Sequence, residues 1–170
     1  MKLETQKDKI GVNKMVGQKT ETVFVEGDTI IPDVKPDIIN SIHTNGTVCI
    51  YKKELLEGRV RIDGSINSYV MYLSDGENES VRSLNTSLDF TQVFDLDLVT
   101  TGMDLEVEVN LKSMECKVLN GRKVNIKACL EFKMKVYSNE TIEVVKNISN
   151  VQGVQTLNRN LKINSLVGRR

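Results

Sequence analysis

The sequence predicts a mainly β protein: an antiparallel sandwich or partly closed barrel of about eight to ten strands with one short helix. Three observations carry this. Between Asp104 and Val136, apolar residues fall at 105, 107, 109 and 111, then at 114, 116 and 118, then at every even position from 124 to 136. That is period two, the repeat of a strand with one buried face and one wet face. Asn120-Gly121 separates two of these runs. Both residues accept positive φ, so the pair predicts a hairpin closed by a type I′ turn. Elsewhere, short β-forming runs alternate with turn residues, which favours antiparallel neighbours over parallel crossovers. The parity slip between Leu111 and Met114 predicts a β-bulge in the hairpin.

In chain order, residues 1–9 are charged and polar and are expected to be loose. Ile10 to Gly17 reads as a short strand or a single helical turn. Thr20 to Glu26 reads as a strand, Gly27-Asp28 as a turn, and Thr29 to Ile31 as resumed extended chain. The stretch P-D-V-K-P-D-I-I-N-S-I-H, residues 32–43, holds both prolines of the chain. Pro36 suits the first position of a helix, and Ile38, Ile39 and Ile42 make one apolar stripe. This predicts a helix over about residues 36–43, with Asn45-Gly46 ending it. Thr47 to Leu56 and Arg59 to Leu73 read as strands joined at Glu57-Gly58. Val60, Ile62, Gly64, Ile66, Ser68, Val70 and Tyr72 share one face of the second strand. Gly64 in mid-strand predicts a bulge or a close backbone approach. Residues 74–79 form an acidic loop. Ser80 to Leu88 and Phe90 to Leu96 read as two strands. Thr100 to Gly102 is a loop, Tyr137 to Glu140 closes the long hairpin, and Thr141 to Val145 is a short strand.

Composition narrows the function classes. Basic and acidic residues balance at 23 each, which is neither the basic footprint of a nucleic-acid binder nor an acidic tail. No run approaches the ~18 apolar residues of a membrane span. The charged start lacks the apolar core of a secretion signal. Cys49, Cys116 and Cys129 are odd in number, lie in strand-like runs and form no C-x-x-C pair, so reduced thiols are expected. His43 is the single histidine, and its place at a helix end suits a dipole partner better than a general base. Glu26, Asp28, Asp33 and Asp37 lack the spacing of a calcium loop and suit turns and caps. No catalytic, cofactor or metal site is expected.

Lys162-Ile163-Asn164-Ser165-Leu166-Val167-Gly168 echoes Lys9-Ile10 and Asn13-Lys14-Met15-Val16-Gly17. Residues 10–161 are therefore read as one β domain, and 162–170 as the start of a possible following repeat.

The run V-F-V-E-G-D-T-I-I-P-D-V-K-P-D-I-I-N-S-I, from Val23, resembles the hallmark of the SPOCS domain family of clostridial spore-assembly proteins. The likeness continues through Gly58, Val60, Gly64, Val70 and Tyr72, through Gly102 to Val107, and through N-G-R-K-V-N-I-K-A at 120–128. It covers roughly residues 20–137. The resemblance implies a non-enzymatic interaction or scaffold domain in building the spore coat and cortex. It implies action in the mother-cell cytoplasm around the forespore, alongside the coat-basement ATPase SpoIVA. SipL-like members carry a LysM module associated with that contact, and these 170 residues hold no counterpart of it. The resemblance carries over no partner-binding residue. The alternative is a carbohydrate- or polymer-binding β-sandwich, which a stripe of exposed aromatic side chains on one sheet would favour.

Overall fold

The computed structural model describes residues 4–75, 80–149, 155, 157, 159, 160 and 162. Its elements are β1 (Glu4–Ile30), β2 (Ile38–Leu56), β3 (Arg59–Ser74), β4 (Val81–Asp95), β5 (Asp104–Asn120) and β6 (Lys123–Ser149). They make two antiparallel three-stranded sheets, ordered β1-β6-β5 and β2-β3-β4. The sheets stack as an open sandwich, and among the described residues no closed barrel forms.

The core lies between the two central strands. On β3, Val60, Ile62, Ile66, Val70 and Tyr72 are buried, the face expected from period two. On β6, Val124, Ile126, Leu130, Phe132, Met134 and Val136 are buried opposite them. Phe132 of β6 meets two rings of β4. Its centroid lies 5.9 Å from that of Phe90, edge to face, and 4.9 Å from that of Phe94. Such pairs add to the area burial that drives the two sheets together.

Six long strands replace the eight to ten shorter ones expected, because three anticipated breaks do not interrupt the chain. Gly27 is a mid-strand residue of β1 paired with Ile126, not a turn. A Cβ there would stand 2.8 Å from Leu88 Cδ2, so the glycine serves close approach of β1 to β4. β4 runs through Asp89 unbroken, since Leu88 and Phe90 point inward and Asp89 outward. Tyr137 to Glu140 continues β6, whose pairing with β1 extends to Ser149. β1 in turn begins at Glu4, inside the stretch expected to be loose.

The expected helix over 36–43 is absent. Among the described residues there is no helix, and β2 starts at Ile38. Its first turns of strand carry register shifts between Ile38 and Asn40 and between Ser41 and His43. Two bulges so close make the isoleucine spacing look helical. Ile38 is buried at 3% exposure, whereas Ile39 and Ile42 stand at 46% and 53%. Backbone pairing to β3 satisfies the segment better than a single isolated helical turn could.

The long hairpin and its bulge are present. The register shifts between Leu111 and Ser113, as the parity slip indicated. The turn itself differs. Asn120 pairs with Lys123, so Gly121 and Arg122 are the turn residues, and none of these has positive φ. The turn is therefore not type I′. Instead the Asn120 side chain accepts the Arg122 N–H at 2.9 Å, and Leu119 is an extra residue in the ladder. Gly64 fulfils both readings. A Cβ there would meet the Cys49 carbonyl oxygen at 2.5 Å and Phe90 Cζ at 2.7 Å, and β2 bulges opposite it, between Ile50 and Lys52.

Candidate functional site

The segment 31–37 carries the chain from one sheet to the other, from the end of β1 to the start of β2. A crossover of this kind exposes backbone groups that no ladder can pair. Here one side chain pairs two of them. Arg122, at the tip of the β5–β6 hairpin, donates to the Lys35 carbonyl at 2.8 Å and to the Ile31 carbonyl at 2.8 Å. It also donates to the carboxylates of Asp37 at 3.0 Å and Asp33 at 2.9 Å. The planar guanidinium fork suits four acceptors spread around it, which an ammonium could not serve together.

The hairpin backbone completes the clasp. The Ile31 N–H donates to the Arg122 carbonyl at 2.9 Å and the Ile38 N–H to the Gly121 carbonyl at 2.8 Å. Gly121 leaves room for Asp37, whose Oδ2 would lie 2.8 Å from any Cβ there. On the other side, the Tyr72 hydroxyl donates to the Pro36 carbonyl at 3.2 Å, and the Asp75 N–H donates to the Asp37 carbonyl at 2.8 Å. The Lys35 ammonium reaches the Ser83 carbonyl of β4. Burial pushes the Tyr72 phenol above its ordinary pKa, so it stays a neutral donor.

Three of the acidic residues at 26–37 thus have structural partners. Asp28 contacts Lys123 at 2.6 Å and accepts from Asn125 at 2.8 Å, which holds its carboxyl below the usual range. Asp33 and Asp37 face Arg122. Among the described residues, no group of three or more His, Cys, Asp or Glu could hold a metal ion. His43 is exposed on β2 opposite Met71, not at a helix end. Cys49, Cys116 and Cys129 are free and half-buried. Burial raises the Cys116 thiol pKa, which disfavours a reactive thiolate.

The motif also leaves apolar side chains outside. Val34, at the crest of the crossover, is 92% exposed, and Ile30 beside it is also exposed. Ile39 and Ile42 project from β2, while Tyr69, Met71 and Val81 are exposed on the neighbouring strands. Met71 and Tyr69 pair with His43 and Asn45 of β2, so these groups share one end of the β2-β3-β4 sheet. Arg122 was not singled out from sequence. An arginine after Asn-Gly reads as a solvated turn residue, and its acceptors lie 85 to 91 positions away in the chain.

Comparison with known families places this arrangement. The family model described as the SipL SPOCS domain matches residues 37–119. Over those residues the chain is similar to the SipL-type SPOCS domain. The match opens at Asp37, inside the clasp, and closes at Leu119, so it takes in β2, β3, β4 and nearly all of β5. Arg122 and most of the crossover lie just outside the matched residues and seal both of their ends. No curated protein and no solved structure matches the chain. Among the described residues, no helix is long and apolar enough to cross a membrane.

Proposed function

We propose that this chain is a non-catalytic protein–protein interaction and scaffold domain in assembly of the spore coat and cortex. It acts with the coat-basement ATPase SpoIVA in the mother-cell cytoplasm around the forespore. The observation that carries the reading is the match to the SipL SPOCS domain. The site geometry agrees with it, because Arg122 and Tyr72 tie the crossover of the motif to both sheets. A rigid sandwich with an apolar, exposed rim around Val34, Ile39 and Ile42 is a surface for contacting a protein. In this reading residues 10–161 are the working domain and 162–170 open a following unit, a division that lies largely outside the described residues.

The polymer-binding alternative asks for an aromatic stripe. Phe24 lies on the β1-β6-β5 sheet with the Lys127 ammonium 4.7 Å from its ring centre, whereas Tyr51 and Tyr69 lie on the other sheet. The exposed rings of the described residues are thus divided between two faces, which gives a glycan nothing continuous to stack on.

A pull-down of SpoIVA with the chain, alone and joined to a LysM module, tests the proposal. Retention of SpoIVA by the joined protein, lost when Val34 and Ile42 are both changed to Asp, is the expected result. Retention by the LysM module alone, with no gain from this chain, would overturn the assignment.

A further inference from the structure

β6 outruns the sandwich. β5 begins at Asp104, opposite Tyr137, and beyond that point β6 pairs, among the described residues, with β1 alone. Residues 5–15 and 138–148 therefore form a two-stranded arm. Every side chain from Asn139 to Ile148 is exposed. A two-stranded ribbon is marginal in water without further packing, and each of its edges, along β1 and along β6, is a template for another strand. The side of the arm that continues the core-facing side of β6 carries Ile142, 45% exposed, and Val144, 40% exposed, with Ile10 directly across from Ile142.

We propose that the β6 edge of the arm pairs, antiparallel and about a twofold axis at Glu143, with the same edge of a second copy of the chain. The argument is charge and apolar self-complementarity. Residues 140–146 read E-T-I-E-V-V-K. Centred on Glu143, antiparallel pairing sets Glu140 against Lys146 of the second copy and Ile142 against Val144, each twice by symmetry. The two central Glu143 carboxylates are compensated within their own arms, by Lys7 at 3.0 Å and Lys9 at 4.0 Å. Lys146, the extra residue of a bulge between Gln6 and Lys7, and Glu140 make exposed pairs with Asp8 and Lys14 in their own arm. Exposed pairs of this kind exchange partners at little cost. The product is a four-stranded ribbon with Ile142 and Val144 of both copies in one apolar strip. It would join two sandwiches through their arms and leave the crossover rim of each open.

Sedimentation equilibrium of the full chain, over about 10 µM to 1 mM, tests this. The expected mass at the upper end is twice 19.1 kDa. Glu140→Lys and Lys146→Glu each weaken the dimer about tenfold, and the double reversal recovers it to within about threefold. The double reversal still opposes Lys14 and Asp8 in its own arm, so recovery can come only from pairing between copies. Ile142→Lys with Val144→Lys yields a monomer whose β3 and 124–136 amides exchange as in the wild type, showing that the sandwich is intact. A monomer at every concentration overturns the proposal. So does an undiminished dimer of any single reversal or of the Ile142/Val144 variant, or a double reversal that does not recover.

Discussion

Arg122 holds two carbonyls and two carboxylates from one segment, and no other side chain of the clasp does as much. Arg122→Ala removes all four of these hydrogen bonds at once. The urea midpoint is expected to fall, since hydrogen bonds to a charged group are worth more than neutral ones. Arg122→Lys keeps the charge but not the fork and recovers less than half of that, as urea unfolding would show. Acid acts on other residues of the same kind. Lys123 and Asn125 hold Asp28 below the usual carboxylate range, Thr91 does so for Asp63, Asn110 for Glu108, and Lys112 for Glu131. A carboxylate depressed in the folded state binds fewer protons there than in the unfolded chain. Its stabilisation is complete above an ordinary pKa of about 4 and is lost as pH falls through the folded value. The melting temperature at pH 3 is therefore expected to lie below that at pH 6. Equal values would show that these exposed pairs contribute nothing.

At the scale of elements, the start of β2 separates two isoleucines that a helix would have placed on one stripe. Ile38 points into the core beside the clasp, and Ile42 points out of the sheet. Ile38→Asp buries an unpaired charge and is expected to cost about 3–5 kcal/mol. Ile42→Asp is expected to stay within about 0.5 kcal/mol of wild type. Thermal melts of the two variants measure the difference. Equal large losses would restore the helix and remove the strand. β1 and β6 show the complementary lesson. Each is 27 residues long, and only part of that length is sandwiched. The remainder stands on cross-strand pairs such as Lys7–Glu143 and Ile10–Ile142, which are individually weak.

For the whole molecule, the two sheets are joined by the crossover and by side chains that interlock across the interior. Phe132 is the centre of that interlock, touching Phe90 and Phe94 from the opposite sheet. Phe132→Ala is expected to cost about 3–5 kcal/mol. Because the cavity is shared, protection of amides in β3 and β6 should fall together in hydrogen exchange. Loss confined to β6 would show that the sheets unfold as separate units, and a scaffold reading that needs one rigid body would fail with it.

Period two along Arg59–Tyr72 and Lys123–Val136 was enough to name the buried faces, and the parity slip near Lys112 was enough to place the bulge. These features are local: a strand's faces follow from neighbours two residues apart, whatever it packs on. The glycine at 58 likewise declared its turn, where φ is +69°. The ends of elements were not legible in the same way. Asp89, Gly27 and Tyr137 to Glu140 look like breaks, yet partners across the sheet carry the ladder through them. The P-D-V-K-P-D-I-I segment looked helical because its alternation is broken by two bulges that only pairing with β3 reveals. Its prolines and acids marked an unusual place, but what makes it a clasp is Arg122, brought from the far hairpin by folding. Contacts between residues some ninety positions apart leave no periodic trace in the chain, because they depend on how the sheets stack and not on the repeat of either strand.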